Sequence, residues 1–123
     1  KSNRIFRKAV KIYKMLGLIE KVVPINDNMG ILFFHQSNYP KALDYFGKTL
    51  KINEELGNKS GVAHTLGNMG NIYQVQSNYP KALEYYEKAL KIDEELGNKS
   101  GIAQHLGNIG TLSILTNQFT QRR

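Results

Sequence analysis

Residues 37–116 are two copies of one 40-residue unit, SNYPKALDYFGKTLKINEELGNKSGVAHTLGNMGNIYQVQ followed by SNYPKALEYYEKALKIDEELGNKSGIAQHLGNIGTLSILT. In register, 25 of the 40 positions are identical, and most exchanges are close ones such as Asp44/Glu84, Phe46/Tyr86 and Val62/Ile102. A tandem period of this length restricts the fold severely. Each unit is a small supersecondary element that buries its apolar face only against its neighbours. Such chains usually present an extended surface to a partner and do no chemistry.

Two helices fit inside the unit. Ala63, Leu66, Met69, Gly70 and Tyr73 follow the 3-and-4 spacing of one helix face, and so do Ala82, Leu83, Tyr86, Ala89 and Leu90. Gln76-Ser77-Asn78 is a short polar turn between them. Pro80 falls in the first turn of the second helix, where its missing N–H costs nothing. Leu96-Gly97-Asn98 ends that helix, with Gly97 suited to the left-handed residue after a C-terminus, and Ser100 is placed to cap the next helix. Small residues at Gly70, Ala82 and Ala89 let two antiparallel helices approach closely, with Tyr73, Tyr79 and Tyr86 filling the wider gaps.

The register continues beyond the two clear copies. Phe6, Ala9, Ile12 and Leu16-Gly17 stand 40 residues before Phe46, Thr49, Ile52 and Leu56-Gly57, so residues 3–16 read as a second-type helix. Met29, Gly30 and Phe33 match Met69, Gly70 and Tyr73, which makes 23–36 a degenerate first helix. Ile109 and Gly110 carry the pattern forward. The expected organisation is a single array over 1–123: a partial repeat at 3–22, repeats at 23–60 and 61–100, and a truncated repeat at 101–123. The chain starts in mid-repeat without a methionine, which reads as a fragment.

Composition removes several functions. There is no cysteine, so disulfides, thiolate catalysis and cysteine-held zinc are excluded. No stretch approaches the length of apolar residues needed to span a bilayer, so no membrane role is expected. The net charge is +7, and Lys1, Arg4, Arg7, Lys8, Lys11 and Lys14 crowd the start. A solvated helix face accounts for them most simply; acidic peptides or nucleic acid are the sharper readings. Nucleic acid is the less favoured of these partners.

The order Leu66, Gly70, Tyr73, Ala82, Tyr86, Ala89 resembles the tetratricopeptide repeat, in which a large residue, Gly and Tyr precede Ala, an aromatic and Ala. The usual unit has about 34 residues and often a proline after its second helix; here the unit is longer, and Glu94 stands at that place. In this the chain is similar to the long-helix variety of kinesin light chains and of Leu-Gly-Asn repeat scaffolds. The resemblance implies an all-α, right-handed solenoid of antiparallel helix pairs in a cytoplasmic protein. It also implies a concave groove lined by the first helices, where a partner peptide lies.

The residues give that groove content. His64, Asn68, Asn71 and Val75 form a stripe away from Leu66, Met69 and Tyr73, matched by Pro24, Asn28, Ile31 and His35 before it and by Gln104, Asn108, Thr111 and Leu115 after it. Asn28, Asn68 and Asn108 thus recur one repeat apart. Asparagine is a mediocre helix former, so three in register inside helices need a reason. Its amide offers donor and acceptor together, matching an extended peptide backbone, and the resemblance implies the same role. The other explanation is that each Asn bonds the neighbouring repeat and sets the spacing. Candidate ligand-binding residues are Asn28, His64, Asn68, Asn71, Gln104 and Asn108.

His35, His64 and His105 show no spacing for a triad or a metal cage, although His64 and His105 stand where adjacent repeats could bring them together. No cofactor and no enzymatic activity are expected. The reading is a protein-interaction module that holds a peptide or partner segment; the alternatives are an oligomerising spacer and a polyanion binder. Phe6 and Val10 at one end, with Leu112, Ile114, Leu115 and Phe119 at the other, are apolar residues expected to associate as a homodimer.

Overall fold

The computed structural model describes the backbone of residues 2–121 and the side chains of residues 4–117. Among the described residues the chain is helical throughout, without a strand: α1 (Ser2–Met15), a 3-10 turn (Ile19–Lys21), α2 (Val22–His35), α3 (Tyr39–Leu56), α4 (Lys59–Val75), α5 (Tyr79–Leu96) and α6 (Lys99–Gln121). They form two compact units, Lys1–Asn58 and Lys59–Arg123.

In the first unit α2 packs along α3. Val22, Met29, Phe33, Ala42, Phe46 and Ile52 are buried, which are the positions the helical period assigns to one face. The pair closes at Gly30, where an added Cβ would lie 2.9 Å from the Phe46 ring. In the second unit α5 packs against both α4 and α6. Ala82, Tyr86 and Leu112 form its centre, with Tyr73, Tyr79 and Ile109 packed around them. Gly70 plays the part of Gly30: a Cβ there would lie 2.7 Å from the Tyr86 ring. Any side chain at Gly70 overpacks this contact, at a cost of about 1–3 kcal/mol. At the matching Gly110 no described atom lies within contact distance.

Lysines cover the aromatic seams between paired helices. Phe33 stacks on Tyr45 at 5.6 Å and Tyr73 meets Tyr85 at 5.1 Å. Lys41, Lys48, Lys81 and Lys88 place their ammonium groups 5.2, 4.6, 5.5 and 5.3 Å from the rings of Phe33, Tyr45, Tyr73 and Tyr85. Their repetition along the second helices therefore has a packing reason.

Helix ends follow one design. Gly57 and Gly97 adopt φ of 70° and 68°, and at each the glycine N–H and the next N–H return to the last turn, as in Gly97 N to Glu94 O and Asn98 N to Asp93 O. Asn38 and Asn78 cap α3 and α5 by accepting from the N–H of Lys41 and Lys81. At α6 the cap is Asn98, whose Oδ1 accepts from Gly101 N at 3.3 Å, and not the expected Ser100, whose hydroxyl donates to that same oxygen. Leu83 also departs from expectation: it is 37% exposed and borders an open cleft with Tyr79, Pro80 and Thr116. It sits about 100° around α5 from Ala82, on a flank that α6 leaves partly open.

The apolar end residues behave differently from one another. Leu112 is buried against Ala82 and Tyr86 and so cannot join an association surface; α6 packs on α5 through it. Ile114 is 60% exposed, and Leu115, Phe6 and Val10 are half-buried. The Phe119 side chain lies outside the described residues.

Candidate functional site

Each polar stripe lies on the outer side of a first-type helix. On α2, Pro24, Asn28, Ile31 and His35 are all exposed while Met29, Gly30 and Phe33 face inward. On α4, His64 and Val75 are exposed and Asn68 and Asn71 half-buried; on α6, Gln104 and Thr111 are exposed and Asn108 and Leu115 half-buried. In the second unit α4 touches α6 as well as α5. Gly67 permits this: a Cβ there would sit 3.1 Å from Cε1 of His105. His64 and Asn68 therefore belong to one helix, and Gln104 and Asn108 to the helix beside it.

Asn28, His64, Asn68, Gln104 and Asn108 make no side-chain hydrogen bond to any described residue. Their donors and acceptors are available to something outside the chain. Asn71 differs. Its Oδ1 lies 2.6 Å from the Tyr86 hydroxyl, and Oε1 of Gln74 lies 2.9 Å from the same oxygen. One phenolic proton serves one acceptor at a time, and the second amide satisfies the oxygen by turning its NH₂ toward it. Burial pushes the Tyr86 hydroxyl pKa up to about 12. Tyr73 is also raised, chiefly by burial and then by the neighbouring Tyr85.

His64 and His105 do not form a pair. His64 is exposed, whereas His105 is 3% exposed and its Nε2 lies 2.8 Å from Oδ2 of Asp93. The repeat carries Asn53 and Thr65 at these two places, so carboxylate and imidazole were exchanged together. Buried Asp93 requires such a donor, and it also accepts from Nδ2 of Asn98. Gly101 is needed here because a Cβ would collide with the Asp93 carboxylate. Sequence spacing offered only a weak signal for this link, the paired mismatch at 53/93 and 65/105. The dyad holds α5 to α6 and has no route to a substrate. Among the described residues no group of three or more His, Cys, Asp or Glu could hold a metal ion, and no helix is long and apolar enough to cross a membrane.

The tetratricopeptide repeat family model matches residues 22–95 and 61–121. No curated protein matches the sequence. Among solved structures, BtubC (BKLC) from P. vanneervenii is similar with a TM-score of 0.79 and 24% identity over 95% of this chain and 49% of that one. This chain thus spans about half the length of that structure. The N-terminal domain of stress-induced protein-1 (STI-1) from C. elegans is similar with a TM-score of 0.63 and 11% identity, covering 91% and 94% of the two chains. At these identities the likeness shows the fold, the all-α solenoid class of helix pairs. With the family model covering most of its length, the chain belongs to the tetratricopeptide repeat family.

Proposed function

We propose that this protein-interaction module binds an extended peptide segment across the outer faces of α4 and α6, with Asn68 and Asn108 holding its backbone. Asn28 offers the same group on α2. The observation that carries the reading is the pair of unbonded amides at matching positions of two adjoining helices. A backbone presents N–H and C=O in alternation, and a carboxamide answers both. His64 and Gln104, exposed beside them, would contact side chains and tune selectivity.

The test uses a peptide selected from a random displayed library against the whole chain. Asn68→Ala and Asn108→Ala should each weaken its binding by about 0.5–1.5 kcal/mol, the usual worth of such a hydrogen bond, and leave the thermal midpoint nearly unchanged. A large fall in stability with unaltered binding would assign the asparagines to repeat spacing instead.

A further inference from the structure

A separate, concave site lies wholly within the first unit. The facing sides of α1, the 3-10 turn, α2 and α3 enclose a cavity of about 460 Å³, within the range of ligand pockets. Val10, Val22, Met29 and Ile52 give it apolar walls, and Arg7, Lys14, Lys48 and Lys51 line it with positive charge against a single carboxylate, Glu55. Lys48 is shared with Asp44 at 3.5 Å, while Arg7, Lys14 and Lys51 make no ion pair among the described residues. Asn26 also lines the cavity. It is 5% exposed, and its amide has no hydrogen-bond partner among the described residues.

The repeat register shows that Asn26, Arg7 and Lys14 are peculiar to this unit, whereas Lys48 and Lys51 recur as Lys88 and Lys91. Leu66 and Leu106 occupy the position of Asn26 in the other copies, and Leu66 is a buried core residue. Gly47 and Glu87 correspond to Arg7; Glu54 and Glu94 correspond to Lys14. Three departures from the repeat, one placing an amide where the other copies carry leucine and two adding positive charge, meet at one cavity. The polar atoms of Asn26 are not sealed from solvent, so a group that enters the cavity can reach them and bond there.

We infer that this cavity takes an acidic peptide segment: an apolar side chain within the walls, its backbone amide bonded to Asn26, and flanking carboxylates at Arg7 and Lys14. A simple hydrocarbon chain with a carboxylate head would leave Asn26 unpaired, and a nucleic-acid backbone has nothing to place on the apolar walls.

The experiment is an amide chemical-shift titration of the isotope-labelled full chain. The probes are an acetylated and amidated Glu-Leu-Glu-Leu-Glu peptide, its Gln-for-Glu analogue, and dodecanoate. The acidic peptide should shift the amides of α2 around Asn26 and those of α1 around Arg7, and the Gln analogue should bind about tenfold more weakly, as expected for lost charge-assisted bonds. Asn26→Leu, which restores the residue of the other copies, and Lys14→Glu, at an exposed position, should each reduce binding by about tenfold or more; Asn68→Ala should not. Shifts at these amides with dodecanoate but not with peptide would overturn the proposal. So would peptide shifts confined to α4 and α6, or unchanged affinity in Lys14→Glu. Shifts that depend on protein concentration without peptide would assign the cavity to a second copy and overturn it too.

Discussion

At Tyr86 one hydroxyl oxygen distinguishes the central aromatic ring of one helix pair from that of the other. Its counterpart is Phe46, 3% exposed, and the residues matching its acceptors Asn71 and Gln74 are Ile31 and Phe34. Hydroxyl and acceptors occur together or are absent together, because a buried phenol without a partner loses its water bonds for nothing. Tyr86→Phe should therefore destabilise the protein by about 1 kcal/mol, the amides being near enough to solvent to recover part of the loss. It should also change the response to alkali. An unfolded tyrosine ionises from about pH 10, whereas folded Tyr86 keeps its proton to about 12. A raised folded value means that this contribution is complete below pH 10 and disappears as pH rises toward 12. Thermal midpoints followed through that window should fall more steeply for the parent than for Tyr86→Phe. Parallel curves would show that ionisation of Tyr86 is not opposed by the fold.

Among elements, the helix ends show what the sequence discloses and what it hides. Gly17, Gly57 and Gly97 stand at φ of 72°, 70° and 68°, and their left-handed role is legible because glycine alone adopts it without strain. Ser37 and Ser77 adopt φ of 59° and 62° with the same pair of returning hydrogen bonds, Ser77 N to Gln74 O and Asn78 N to Tyr73 O. Serine is common in turns of every kind, so nothing about it announced this conformation. The strain gives a prediction. Ser37→Gly and Ser77→Gly should each stabilise by about 0.5 kcal/mol, the relief of a left-handed L-residue less the added freedom of the unfolded chain. In urea the midpoint should rise with an unchanged slope; a lower midpoint would mean that the serine side chains contribute more than the strain removes. The exchange of Ser100 for Asn98 as cap has a similar origin, since both residue types cap helices well and stand two positions apart.

For the molecule as a whole, the tandem period made the helix pairs and most of their buried positions readable, since repetition reports the same packing problem solved twice. The sites were less readable. The asparagine stripe is visible in register, yet the Asp93–His105 link and the Asn26 cavity appear only as mismatches until folding brings the partners together. The charge is also uneven. Residues 1–58 hold ten of the 17 basic and five of the ten acidic side chains, so +5 of the +7 lies in the part of the chain that holds the cavity and +2 in the part that holds α4 and α6. Salt should therefore separate the two proposed sites. Raising it from about 0.1 to about 1 M shortens the screening length from about 10 to about 3 Å. An acidic peptide held by Arg7 and Lys14 should lose about tenfold or more in affinity over that range, since exposed charges supply most of its attraction. A peptide held by the neutral amides of Asn68 and Asn108 should change by less than about twofold, because hydrogen bonds and apolar contacts are weakly screened. Titration of each peptide at both salt concentrations reads this directly. A steep slope for both, independent of peptide sequence, would mean that the basic surface binds polyanions in general, and the asparagine stripe would then lose its role as the ligand contact.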